Sequence, residues 1–91
     1  MSPVDVRVQR TPNPNAMKFS LGRSVVEGSA SRTIASAEAA RGDRIAEPIF
    51  TLPGVQSVFM VADFVTVIKV VDASWDQLTP RIVSLLQEVF D

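Results

Sequence analysis

"VQSVFMVADFVTVIKVV", residues 55–71, decides the fold. Val55–Val61 and Phe64–Val71 are rich in Val, Ile and Phe and flank the dipeptide Ala62-Asp63, which predicts a β-hairpin with a tight turn. Both runs are apolar on both parities, so they predict central strands. Toward the amino terminus, Val4, Val6 and Val8 alternate with Asp5, Arg7 and Gln9. Met17, Phe19 and Leu21 alternate with Lys18 and Ser20 in the same way. Period two marks half-buried strands, and "RTPNPN" (10–15) joins these two as an antiparallel hairpin with a wide loop. Gly22 breaks the second strand, and "SVVEG" (24–28) is a candidate short edge strand. "GSASRTIASAEAARG" (28–42) has Ile34 as its one large apolar residue and reads as a surface excursion, with a helical turn through "ASAEAA".

Two helices complete the pattern. Ile45, Ala46, Ile49, Phe50 and Leu52 recur at helical spacing, Asp43 is placed to cap their start, and Pro53-Gly54 stops them. Pro48 is expected to remove a backbone hydrogen bond and leave this helix short or bent. Trp75, Leu78, Ile82, Leu85, Leu86 and Val89 form an apolar stripe, with Ser74 and Gln77 spaced as a capping box. Pro80 predicts that the regular part of this helix begins at Thr79. The expected fold is a single α+β domain over 1–91. It has two layers: an antiparallel sheet of three to four strands with two helices on one face.

Ninety-one residues, 46% hydrophobic and 21% charged, suit one globular core. A net charge of −1 points to neither nucleic acid nor membrane as partner. The charge is uneven: Arg7, Arg10, Lys18 and Arg23 outweigh Asp5 over 1–26, whereas Asp72, Asp76, Glu88 and Asp91 outweigh Arg81 over 70–91. That distribution reads as solvated faces or as a dipolar surface that steers a partner. No basic segment followed by an apolar stretch opens the chain, and "VTVIKVV" is too short to span a bilayer. A cytoplasmic protein is the expectation.

The chain contains no histidine and no cysteine. The commonest general base, thiolate nucleophiles and soft metal ligands are therefore all missing from it. A zinc ion or iron–sulfur cluster held by this one chain is excluded on ligand grounds. Glu38, Asp43 and Glu47 show no hard-cation ligand spacing and are explained as caps and solvated residues. Serine nucleophiles would need Lys18 or Lys69 as base, with Asp63 as the neighbouring carboxylate. Lys69 shares strand parity with Val65 and Val67, which also fits a snorkelling lysine at a strand end. No phosphate-cradling glycine motif occurs. Neither a catalytic site, a metal site nor a cofactor site is expected. A binding module is the favoured class, with a small lysine-dependent enzyme or a self-associating structural module as alternatives.

Four blocks in order, "TPNPNAMKF" (11–19), "EPIFTLPGVQSVF" (47–59), "DFVTVIK" (63–69) and "WDQLTPRI" (75–82), resemble the amino-terminal domain of Nfu/NifU-type iron–sulfur scaffold proteins over about residues 4–90. In that family the domain usually precedes a module whose Cys-x-x-Cys carries the cluster. The chain ends at Asp91, where that module would begin, so a stand-alone bacterial domain is expected. The resemblance implies a role in iron–sulfur protein assembly without cluster binding by this chain. Its implied partners are assembly proteins or their apo-protein clients, with a weak homodimer as a further expectation. The sequence departs from the family at Asp43-Arg44, where Ser-Pro is common, and near Val61, where a glycine often precedes the hairpin turn.

Thr11, Pro12, Asn13, Pro14 and Asn15 are the first candidate contact residues. Proline ring geometry pushes Thr11 and Asn13 to extended backbone, and a rigid tip loses little entropy on docking. Alternatively, the asparagines close the hairpin through their own side chains. Lys18, Phe64 and Ile68 are the second group. Phe64 and Ile68 share the sheet face that the helices are expected to leave open, with Met60 expected beside them, and an exposed apolar patch marks a partner or dimer site. A fold-back of residues 22–40 over this face is the competing expectation.

Overall fold

The computed structural model of the chain describes residues 5–22 and 31–90. Its elements run β1 (Arg7–Arg10), β2 (Ala16–Ser20), β3 (Ser31–Ile34), α1 (Ala46–Phe50), β4 (Val55–Val61), β5 (Phe64–Lys69) and α2 (Trp75–Phe90). The sheet is antiparallel, five-stranded and ordered β1-β2-β5-β4-β3. The α+β architecture is as expected from the sequence, but the strand count is higher than the three to four expected. The additional strand is β3, inside the stretch read as a surface excursion. Its alternation is short and carries a single large apolar residue: Ile34 is buried and pairs with Val58, while Ser31, Arg32 and Thr33 are exposed. The candidate edge strand at 24–28 lies outside the described residues.

The β4–β5 hairpin is the centre of the sheet, and its two-residue turn forms because Ala62 adopts a φ of 51°. Left-handed backbone costs a Cβ-bearing residue about 1–2 kcal/mol. β5 ends at Lys69 rather than Val71. The Val70 N–H leaves the ladder to donate to the Gly54 carbonyl at 2.8 Å, and Val71 is left 77% exposed. Gly54 itself sits at φ +95°, and a Cβ there would stand 2.5 Å from the Ala73 Cβ. The loop between α1 and β4 therefore packs against the chain entering α2 only with glycine at 54.

Asp43 starts α1. Its Oδ1 accepts the N–H groups of Ile45 and Ala46 at 2.9 and 2.8 Å, and its Oδ2 is ion-paired with the Arg32 guanidinium on β3. Burial acts to raise the Asp43 pKa, but the two backbone donors and Arg32 outweigh it and hold the carboxyl below its ordinary 3.8. Pro48 has no N–H to follow the bond that the Glu47 N–H makes to the Asp43 carbonyl at 3.0 Å, and α1 is short, at five residues, as expected. The helix begins at Ala46, which puts the proline in the first turn, where its ring is tolerated. α2 starts earlier than expected, at Trp75 rather than Thr79. The Ser74 Oγ accepts the Asp76 N–H at 3.2 Å, and the Ser74 carbonyl accepts those of Gln77 and Leu78. Pro80 is thus accommodated inside the helix.

Both helices lie on one sheet face. Ile49 of α1 and Leu78, Ile82 and Leu86 of α2 join Phe19, Val58, Met60, Val65 and Val67 in one core cluster. Phe19, Met60, Val65, Val67, Ile49, Ile82 and Leu86 are fully buried. Among the described residues no helix is long and apolar enough to cross a membrane.

Candidate functional site

The five loop residues from Thr11 to Asn15 are closed by their own side chains. The Thr11 Oγ1 accepts the Asn13 N–H at 3.1 Å and faces the carbonyl oxygens of Asn13 (2.9 Å) and Ala16 (3.1 Å) as donor. The Asn13 Oδ1 accepts the Asn15 N–H at 2.9 Å, and its carbonyl accepts that of Ala16 at 3.0 Å. These bonds substitute for the hairpin ladder that Pro12 and Pro14, lacking N–H groups, cannot supply.

Two side chains from elsewhere then fix the loop to the body. The Trp75 indole N–H donates to the Pro14 carbonyl at 2.9 Å. Lys69, buried at the end of β5, donates its ammonium to Asn15 Oδ1 at 3.0 Å and to the Val70 and Val71 carbonyls at 3.3 and 3.4 Å. The Lys69 N–H also reaches the Asn15 carbonyl at 2.8 Å. An ammonium has three protons, so this one is matched by three acceptors. Lys69 is therefore an internal tie rather than a snorkelling strand-end lysine. It is also not brought to Asp63, which lies in the turn at the opposite end of β5. Lys18 stands on the other sheet face, opposite Thr66.

What the loop leaves outward is Pro12, Asn13 and Pro14, all exposed, while Thr11 and Asn15 are half-buried. The oxygen atoms of both asparagine side chains are turned inward, so the tip offers two proline rings and the Asn13 amide NH2. Next to it, a cleft of 560 Å³ opens between Pro53-Gly54, Val70 and the start of α2, with Asp72 and Arg81 among its lining residues.

The second group occupies the sheet face opposite the helices. Strand parity places Lys18, Phe64, Thr66 and Ile68 there, with Phe59 and Val61 from β4. All six are half-buried. The Lys18 ammonium lies 4.3 Å from the Phe64 ring centroid, a distance at which cation and ring attract. Phe64 in turn tilts against Phe59, with centroids 6.5 Å apart. Phe64 and Ile68 thus lie on the face expected for them. Met60 does not: it is fully buried on the helix side, and Phe59 takes the place expected of it. The alternation of β4 explains the swap, since Val58 and Met60 both face the core and Phe59 must then face away. Among the described residues, the segment after 30 runs in the sheet plane as β3 and then onto the helix side, where Ile34, Ala40 and Ile45 are buried.

The structure separates the two candidate groups. The loop caps one end of the sheet, Lys18 and Phe64 lie toward the other, and Ile68, paired with Ala16, stands between them. Sequence reading missed the Trp75 contact because Trp75 also fits the apolar stripe of α2. It missed the Arg32–Asp43 pair because Arg32 sits in a stretch without a strong strand pattern.

Comparison with known proteins fits this architecture. Residues 6–91 match the family described as "Scaffold protein Nfu/NifU N terminal". The chain is 38% identical over 86 residues to "NifU-like protein 5, mitochondrial" of Arabidopsis thaliana, covering 93% of this chain and 30% of that protein. It is 32% identical over 85 residues to "NFU1 iron-sulfur cluster scaffold homolog, mitochondrial" of Drosophila ananassae, again covering 93% of this chain and 30% of the other. The chain therefore spans less than a third of the length of these relatives. The solution structure of a NifU-like protein from Saccharomyces cerevisiae superposes with a TM-score of 0.85 at 29% identity, covering 94% of this chain and 77% of that one. By sequence and by fold, the chain belongs to the Nfu/NifU scaffold-protein amino-terminal family.

Proposed function

We propose that this chain is a non-catalytic accessory domain of iron–sulfur cluster assembly in the cytoplasm. It binds assembly proteins or their apo-protein clients and does not hold a cluster itself. The observation that carries this reading is the family match over residues 6–91 in a chain with no cysteine and no histidine. Thiolates and imidazoles are the ligands that hold iron–sulfur clusters. The Drosophila relative is an iron–sulfur cluster scaffold homolog by name, which suggests the process; the ligand chemistry of this chain suggests the division of labour.

The contact residues in this reading are Thr11 to Asn15, Lys18, Phe64 and Ile68. The outer sheet face has the composition of an interaction surface: an aromatic and aliphatic centre at Phe59, Phe64 and Ile68, bordered by serine, threonine and a lysine. The loop is rigid before any partner arrives, because Lys69 and Trp75 already hold it.

Two measurements test the proposal. Incubation of the purified protein with iron and sulfide should leave it colourless, and affinity capture from native cytoplasm should enrich iron–sulfur proteins or their assembly factors. A stable, stoichiometric cluster absorbance from the isolated chain, or capture without enrichment of such proteins, would overturn it.

A further inference from the structure

Among the described residues, β1 is an edge strand that pairs with β2 on one side only. Its four residues are all exposed, its register is uninterrupted, and it contains no proline. In an antiparallel ladder, alternate residues direct their N–H and C=O groups away from the neighbouring strand, so part of the β1 backbone faces outward, ready to pair. Val8 shares the face of Phe19, its partner in register, yet it remains 40% exposed. The reason is a cleft of 390 Å³ between β1 and the first turns of α2, where Val8, Met17, Trp75 and Pro80 meet Arg10 and Asp76.

Edges of this kind are usually protected against pairing with further copies, often by charge. Here each face of the edge carries one guanidinium, Arg7 on the outer face opposite Ser20 and Arg10 on the helix face opposite Met17. The same two arginines suit a strand that brings acidic residues to those positions. Among the described residues, Arg7 is ion-paired only with Asp5, at 3.9 Å with both side chains exposed, and Arg10 makes no ion pair. Asp76, across the cleft from Val8, stands in the first turn of α2, where the helix's amino-terminal partial charge offsets it.

We propose that β1 accepts an extended acidic segment of a partner protein by strand addition, with an apolar side chain opposite Val8 entering the cleft beside Pro80. Read antiparallel to β1, the partner segment is acidic, free, apolar, acidic, facing Arg10, Gln9, Val8 and Arg7 in turn. Backbone pairing supplies affinity in such complexes, and alternate side chains supply selection. The inference deepens the partner-binding reading above and rests on it, but it concerns a different surface from the outer sheet face.

The test uses two capped synthetic nonapeptides, Ser-Thr-Thr-Glu-Thr-Val-Glu-Thr-Ser and its counterpart with lysine in place of both glutamates, titrated into the isotope-labelled protein. The glutamate peptide should shift the amide resonances of Arg7 to Arg10 saturably and slow their hydrogen exchange. The lysine peptide should bind at least about tenfold more weakly. The double variant Arg7→Glu/Arg10→Glu should reverse that preference, and its binding of the lysine peptide shows at once that it is folded. Absence of saturable shifts at β1, equal binding of the two peptides, shifts centred on Phe64 and Ile68, or a doubling of mass with β1 protected would each overturn the proposal. Capture of iron–sulfur proteins through the outer face does not depend on β1, so failure of strand addition is distinguishable from failure of the functional reading.

Discussion

The two faces of the β4–β5 hairpin are built from nearly the same residue types, yet they do different work. On the helix side, Val58, Met60, Val65 and Val67 are fully buried beneath α1 and α2. On the other side, Phe59, Val61, Phe64 and Ile68 stay half-exposed, with Lys18 lying over the Phe64 ring. Hydrophobicity alone does not separate them. What separates them is which parity the two available helices cover. A two-layer fold has only enough helix for one face, so the apolar residues on the other face stay partly exposed.

The largest expected effect sharpens that contrast with one residue type. Phe19→Ala on the buried side should cost about 3–5 kcal/mol, the usual penalty for emptying a core aromatic site. Phe64→Ala on the outer side should cost about 1 kcal/mol or less, in the range of a partly exposed position. Urea denaturation of the two variants gives the comparison directly, and equal losses would break it.

The next effect concerns the sheet end. Lys69→Met keeps the length of the side chain but leaves Asn15 Oδ1 and the Val70 and Val71 carbonyls without their ammonium. Stranded polar groups cost about 1–3 kcal/mol. Hydrogen exchange at the Asn15 amide should also quicken, which separates release of the loop from general destabilisation.

Asp43 gives the fold a dependence on acid. Its folded-state pKa lies below the ordinary 3.8, so its contribution to stability is present above that value and is lost as pH falls through the lower folded-state value. Asp43→Asn should lack this component, making the stability curve of the variant flatter than that of the wild type on the acid side of pH 3.8. Parallel curves there would show that Arg32 and the two backbone donors do not hold the carboxylate. A smaller effect, of opposite sign, is expected at the hairpin turn. Ala62→Gly should stabilise the protein by about 1 kcal/mol, by relieving the left-handed strain of a Cβ-bearing residue.

Much of this was legible in the chain because strong local signals and tertiary placement agree. The runs rich in Val, Ile and Phe over 55–61 and 64–71, on either side of Ala62-Asp63, gave the central hairpin, and Asp43 and the stripe from Trp75 to Val89 gave the helices. The parity argument also put Phe64 and Ile68 on the correct face. β3 was not legible, because a four-residue strand with one buried apolar side chain gains its order from pairing with β4 rather than from its own pattern. The outer neighbour of Phe64 was misassigned because an apolar residue stands at both parities of β4, and only the register distinguishes Met60 from Phe59. The anchoring of the loop by Trp75 and Lys69 spans 61 and 54 residues of sequence, a separation at which no local pattern signals a hydrogen bond.

Chemical denaturation of Ile68→Asp tests the central claim most directly. A carboxylate introduced at a position turned toward a partner should lower stability by under about 1 kcal/mol. A loss of several kcal/mol would show that Ile68 belongs to a core and would contradict the assignment of the outer sheet face as the surface this protein offers to its partner.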